Sequence, residues 1–314
     1  MLVTDEVRET LARGGAVVAL ETAVLTHGLP HPRNIEAALN CERAVHQAGA
    51  VPAAIAVLDG EVRVGLTEAE IERLGAPESG APESGAPGGS MLKLAARDLG
   101  AAIAGRLTGG ATVSATLAIA AQAGIGFLSI GGIGGVHRSQ GSAAAADVSS
   151  DLLQLSRSPL VVVCSGAKAI LDLRRTLECL ETLGIPVLGY GTRQFPAFVS
   201  AESGLELAHR VDTPEEAARA AAAYREIGYA GAVVIANPPP ADLAMERATV
   251  ERAVETAMTA AFVEEMQGPA VTPFLLAELV KATEGQSLAV NLALLANNAR
   301  LAAEIAVQSP RSKV

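Results

Sequence analysis

The sequence predicts an α/β fold: a three-layer α/β/α arrangement around a mostly parallel sheet, with a helical C-terminal part. Three observations lead there. Short apolar runs such as AVVAL, PLVVVC, IPVLGY and AVVIA alternate with stretches of helical period, which is the pattern of βαβ units. A chain of 314 residues that is 50% hydrophobic can bury one large core without disulfide staples. After Asp242 the strand-like runs stop, and alanine- and leucine-rich helical stretches continue with breaks near Gly268 and Gly285. The expected organisation is a single domain over 1–314, interrupted by a flexible insertion at 76–90.

Each element has a local reason. AVVALETAVLTHGLPHP gives a strand ending at Glu21, then a proline-bounded loop before a helix from about Arg33. Ala53 to Leu66 reads as a strand, an Asp-Gly turn and a short returning strand, and Thr67 caps the helix TEAEIERLG. APESGAPESGAPGG is a tandem repeat of Pro, Gly and Ser, expected to be flexible and to carry no chemistry. TGGATVSATLAIAAQAG reads as a glycine turn feeding a helix, and a glycine-rich helix start can hold an anion on its backbone N–H groups. GFLSI and PLVVVC are strands, and apolar positions 167, 170, 171, 173, 177 and 180 suggest a helix beginning at Ala167. Thr213 and Glu216 fit a capping box ahead of YAGAVVIANPPP, which contributes another strand.

Composition narrows the function. A net charge of −10, 3% aromatic residues and no Trp argue against a partner with a phosphate backbone or a stacked single strand, so no nucleic-acid polymer is expected. Cys41, Cys164 and Cys179 lack CxxC spacing and read as reduced core thiols. The mixed-charge start and the lack of a membrane-length apolar run predict a cytoplasmic protein that does not enter membranes. GGIGGVHR fails the dinucleotide fingerprint because His137 stands where the last glycine of GxGxxG belongs.

Chemistry concentrates between Gly131 and Asp172. Groups that follow consecutive parallel strands converge on one crevice. Lys168 follows PLVVVC, and at a helix start the positive end of the backbone dipole disfavours an ammonium ion, leaving more of the free amine that attacks a carbonyl. Glu21 follows another strand, where partial burial equips a carboxyl to hold a proton for general acid work. Asp147 and Asp151 lie one helical turn apart, to share a face or to cap. His27 and His31 share that spacing, but Gly28 and Pro30 disfavour a helix between them, so they read as loop residues with His27 near the substrate.

The segments ETAVLTHGLP, GGATVSAT, GGIGGVHR, DVSSDL, CSGAKAILD, LECLETLGIPVLGYGT, FPAF, ANPPP, TPFLL and SLAVNLALLANNARLAAEIA resemble, in this order, those of pseudouridine-5'-phosphate glycosidases. The resemblance runs from about Val17 to Ala306. It implies a lyase that reversibly cleaves pseudouridine 5'-phosphate to uracil and ribose 5-phosphate. By that resemblance Lys168 is the nucleophile and Glu21 the proton donor. Lys93, Thr112, Val113, His137, Ser149, Ser150, Asp151 and Asn291 bind substrate, and Asp147 is the sole protein ligand of Mn2+. It also implies a homotrimer. A carbon–carbon glycosidic bond has no leaving heteroatom to protonate, so an electron sink is required, and an iminium between a lysine and C1' of ring-opened ribose supplies one. Another Schiff-base sugar-phosphate lyase or aldolase, and a catalytically silent nucleotide-binding homologue, share these residues and stand as alternatives. The family's K-x-S-R-R-D pattern is K-L-A-A-R-D here; Ala95 and Ala96 remove a hydroxyl and a guanidinium, which predicts a weaker grip on phosphate.

Overall fold

The structure is a computed structural model and describes residues 1–76, 91–138, 147–266 and 271–309. Most of the APESG insertion, the alanine-rich stretch 139–146 and the expected break near Gly268 lie outside the described residues. In chain order the strands are β1 (Leu2–Val3), β2 (Val17–Leu20), β3 (Val51–Leu58), β4 (Glu61–Val64), β5 (Leu92–Leu94), β6 (Gly109–Ala111), β7 (Phe127–Ser129), β8 (Val136–His137), β9 (Val161–Cys164), β10 (Leu171–Asp172), β11 (Val187–Tyr190), β12 (His209–Val211) and β13 (Val233–Ala236). The helices are α1 (Asp5–Ala12), α2 (Arg33–Gln47), α3 (Glu68–Gly75), α4 (Leu99–Ala104), α5 (Val113–Gln122), α6 (Ser150–Leu155), α7 (Leu173–Thr182), α8 (Pro214–Glu226), α9 (Arg247–Val263), α10 (Val271–Ala282) and α11 (Gln286–Gln308).

The main sheet has the order β1-β4-β3-β2-β7-β9-β13-β11-β12, with β6 added to β3 and β5 to β6. Its pairs are parallel except β3–β4 and β3–β6. The mostly parallel α/β fold is therefore as expected. VVAL, VVVC and VVIA are buried at every position, as strands covered on both faces must be. Helix α11 lies over β2, β7 and β9 and packs on α2 and α8, while α5 lies on β2, β3 and β7 and packs on α6. Strand β3 pairs with β2 through Ala54 and then, from Ala56, with β6. That switch lets β2 end at Leu20 and turns Glu21 out of the sheet.

Several local expectations hold. Asp59 and Gly60 both take positive φ in the turn between β3 and β4, and Thr67 with Glu70 completes a capping box. Others change. Gly109 and Gly110 form strand β6 rather than a turn, pairing with β3 and β5, and are glycine because a Cβ at either would collide with Leu92 or with Thr22 and Thr26. At α8 only half of the box forms: Thr213 accepts from the Glu216 N–H, but the Glu216 carboxylate accepts from the Asp212 N–H. No helix begins at Ala167. Gly166 at φ +73° turns the chain against Pro196, and Ala167 bridges to Ile133. Leu171 and Asp172 then pair with β8, so α7 starts only at Leu173, capped by the Asp172 side chain.

The carboxyl ends of the central strands are tied together by one fully buried amide. The Asn298 side chain, on α11, donates to the Ile130 carbonyl at 2.9 Å and the Ser165 hydroxyl at 3.1 Å, and accepts from the Asn237 amide at 2.9 Å. Those three residues follow β7, β9 and β13. Replacing Asn298 by Leu strands three polar groups in the interior, at about 1–3 kcal/mol each. Asn298→Leu should therefore lower the unfolding free energy in urea by at least about 3 kcal/mol; a loss below about 1 kcal/mol would show that the tie is dispensable.

Candidate active site

Glu21, Lys93 and Lys168 arrive from different parts of the chain and line one cleft of about 650 Å3. Glu21 follows β2, Lys93 is the middle residue of β5, and Lys168 occupies the turn after β9. Lys168 is held by its own backbone, whose N–H donates to the Ile133 carbonyl and whose carbonyl accepts from the Leu171 N–H. The helix-dipole argument for this lysine does not apply, because it stands five residues before α7.

The electrostatics of the cleft favour proton transfer. Burial raises the Glu21 carboxyl to a pKa of about 7; Lys168 and Lys93 pull it down while Asp151 pushes it up. Glu21 thus exchanges a proton near neutrality while facing the cleft. Burial lowers the Lys93 pKa, helped by Lys168 and opposed by Glu21 and Asp151. His137 is also lowered, first by burial, with Asp147 raising it and the two lysines lowering it, so its imidazole is neutral at neutral pH.

The remaining expected residues divide into those that face the cleft and those that hold it. Thr112, Val113, His137, Asp147, Ser149, Ser150 and Asp151 all line it. Asp147 and Asp151 do not share a helical face. Ser149 caps α6, which leaves Asp147 ahead of the helix and exposed, and Asp151 inside its first turn and 5% exposed. The Asp151 carboxylate accepts from the Ser114 N–H and the Gly134 N–H, both at 3.0 Å. The start of α5 therefore does hold an anion, but the anion is Asp151. Gly134 has to be glycine, since a Cβ there would strike Ser149 and Asp151.

Asn291 lies beside the cleft, on a narrow neck that also touches Glu21, Lys93 and Lys168. His27 lines the same neck from a π-helical turn, Val24–Gly28, rather than from a loop, whereas His31 is exposed and does not reach it. Ala95 lines the cleft; Ala96 does not, and its N–H is held by the Ser114 hydroxyl. Arg97 also lines the cleft.

Sequence reasoning missed three contributors. Thr22 donates to the Ile55 carbonyl at 2.6 Å and accepts from the Ala111 N–H at 2.9 Å, pinning the turn that carries Glu21. Phe198 sits at φ +63° with its ring against Gly132, where a Cβ would come within 2.9 Å of it. Thr272 lines both cleft and neck. Glu21 next to Thr22 and the phenylalanines of FPAF were visible signals, but nothing in the sequence says that they meet.

For a metal, the donor set is sparse: no group of three or more His, Cys, Asp or Glu side chains among the described residues could hold one. What the cleft offers is the exposed carboxylate of Asp147, with the serines Ser149 and Ser150 nearby; Asp98, which also lines it, already accepts from the Ala95 N–H. That set fits a hard divalent ion coordinated mainly by water and substrate oxygens, and no structural site.

A family model described as indigoidine synthase A like protein matches residues 6–308. A protein named pseudouridine-5'-phosphate glycosidase from Herpetosiphon aurantiacus is 49% identical over 307 residues, covering 98% of this chain and 97% of the relative. The chain belongs to this family. A glycosidase of the same name from Myxococcus xanthus is 47% identical over 309 residues, covering 98% of both chains. The crystal structure of the prealnumycin C-glycosynthase AlnA in complex with ribulose 5-phosphate superposes with a TM-score of 0.85 at 38% identity, covering 98% of this chain and 96% of that one.

The raised pKa of Glu21 carries a stability cost with a defined pH window. The carboxyl ionises near 4.5 when unfolded and near 7 when folded, so the folded state binds the extra proton in between. The contribution of Glu21 to stability falls as pH rises through that window and is constant above it. Glu21→Gln should accordingly raise the melting temperature more at pH 8 than at pH 5. An equal or smaller gain at pH 8 would contradict the burial of an ionisable carboxyl here.

Proposed function

We propose that this chain is a pseudouridine-5'-phosphate glycosidase, a lyase that reversibly cleaves the C1'–C5 bond of pseudouridine 5'-phosphate to uracil and ribose 5-phosphate. The observation that carries the reading is the meeting of Lys168 and Glu21, from the ends of β9 and β2, in one cleft and its neck. Lys168 is the nucleophile: its amine joins C1' of the opened ribose as an iminium, the electron sink that a carbon–carbon bond needs. Glu21 delivers the proton that lets uracil leave and takes it back in synthesis. Water then releases ribose 5-phosphate and restores the lysine.

Lys93 and Arg97, which line the cleft, supply positive charge for the phosphate, and the related AlnA is known in complex with ribulose 5-phosphate. Thr112, Val113, His137, Ser149 and Ser150 shape the sugar site, Asp151 holds its walls, and Asn291 offers an amide to the base. Asp147 would hold Mn2+. Bound there, the ion would supply a positive charge that orients substrate oxygens and water. We assign the enzyme to the cytoplasm; no helix among the described residues is long and apolar enough to cross a membrane. A homotrimer is supported by apolar surface at the end of α9, where Phe262 is 70% and Val263 72% exposed.

The test is uracil release from pseudouridine 5'-phosphate. Turnover should be stimulated by Mn2+, lose that stimulation in Asp147→Ala, and vanish in Lys168→Ala. If Glu21 is the acid, kcat/KM falls about tenfold per pH unit above its pKa, and Glu21→Gln lowers kcat by about 100- to 10,000-fold. Binding of pseudouridine 5'-phosphate without any turnover would identify the silent homologue instead. Turnover of other sugar phosphates with no uracil release would identify a different Schiff-base lyase.

A further inference from the structure

The cleft does not end at its catalytic groups. Glu21, Lys93, Lys168 and Thr272 line both the cleft and the neck beside it, which has a volume of only about 50 Å3. Beyond the neck lies a second chamber of about 490 Å3 that shares His27, Phe198, Leu276 and Asn291 with it. The deeper wall is apolar: Leu29, Val199 and Leu279 are buried, and Val280 and Leu288 are half-buried. Lys281, on the same wall, is paired with Glu278 at 2.6 Å. Exposed Ala277 and Lys281 mark a mouth of the chamber that is separate from the cleft.

This geometry bears on what the enzyme can join to the sugar, and it rests on the glycosidase reading above. With C5 of the base bonded to C1' at Lys168, the opposite edge of the ring, N1 to N3, points away from the lysine. Lys168 itself lines the neck, so a base placed with that edge toward the neck directs a substituent on it at the chamber. Uracil has nothing on that edge to fill an apolar chamber of this size. We propose that the chamber is a subsite for an apolar substituent on the far edge of the base, so that the enzyme condenses ribose 5-phosphate with N1-substituted uracils bearing an aromatic or branched aliphatic group. The substituted base enters through the chamber's own mouth, since the neck admits a methylene link but not a second ring.

The chemistry is that of the synthetic direction. Lys168 and the aldehyde form the iminium with loss of one water. C5 bonds to C1' and its proton passes to Glu21. O4' then closes on C1' and the lysine amine leaves. The net reaction converts ribose 5-phosphate and the substituted uracil into the C-nucleotide and water, with no oxidant or reductant.

The test incubates the enzyme with ribose 5-phosphate and uracil, 1-methyluracil or 1-benzyluracil, and measures the C-nucleotides by mass. All three should be condensed, 1-benzyluracil within about tenfold of uracil in rate. Leu288→Trp and Ala277→Trp each fill the chamber from a different helix, and Ala277, being exposed, tolerates the change without disturbing the fold. Each should lower the rate with 1-benzyluracil relative to uracil at least tenfold while sparing 1-methyluracil, whose methyl group ends in the neck. Condensation of uracil but not of 1-benzyluracil by the unaltered enzyme would overturn the inference, as would variants that slow all three bases equally. Failure with uracil itself would overturn the glycosidase reading and this inference with it.

Discussion

The active cleft depends on a buried amide that never touches it. At the carboxyl end of a parallel sheet the strands stop, their ladder partners run out, and the polar groups that follow need hydrogen-bond partners inside a low-dielectric interior. Asn298 meets that need for β7, β9 and β13 at once, with a side chain that is 0% exposed. Because an amide both donates and accepts, it fixes the three strand ends relative to one another as well as to α11. The glycine hinge after β7 and the turn after β9 are then set, and Lys168 is placed by backbone bonds to Ile133 rather than by a helix.

Two other polar side chains do the same service at the flanks. Thr22 ties the end of β2 to β3 and β6, holding Glu21 and the strand that pairs with Lys93's strand. Asp151 accepts from one N–H at the start of α5, that of Ser114, and from the Gly134 N–H of the glycine hinge, so that in the proposed function the phosphate is left to Lys93 and Arg97. The structural bonds here fall to Asn298, Thr22 and Asp151, not to the side chains to which the proposed function gives the chemistry. Glu21 in particular has its carboxyl raised by burial more than the nearby Lys168 and Lys93 lower it, which suits a proton carrier and costs folding stability.

Much of this was legible in the sequence because it depends on pattern. Strand runs, the Asp-Gly turn, the Thr67 cap and the convergence of groups after consecutive strands all follow from local periodicity and one topological rule. What escaped depends on contacts between distant residues. Apolar spacing from Ala167 looks helical, but Gly166 packed on Pro196 and the pairing of Leu171 with His137 override it. The glycines of TGGAT look like a turn, yet they are strand residues made small by Thr22, Thr26 and Leu92. Asn298 stands beside Asn297 in an alanine-rich helix, and only the tertiary fold separates the buried amide from its half-buried neighbour. Asn291, which the resemblance singled out, does reach the neck.

The central claim is that Lys168 attacks the sugar while Lys93, which shares its cleft, does not. Borohydride added during turnover of pseudouridine 5'-phosphate would reduce the iminium to a stable secondary amine, which peptide mass analysis locates. The account predicts a ribose phosphate adduct on the peptide containing Lys168. An adduct on the peptide containing Lys93, with Lys168 unmodified, would contradict it.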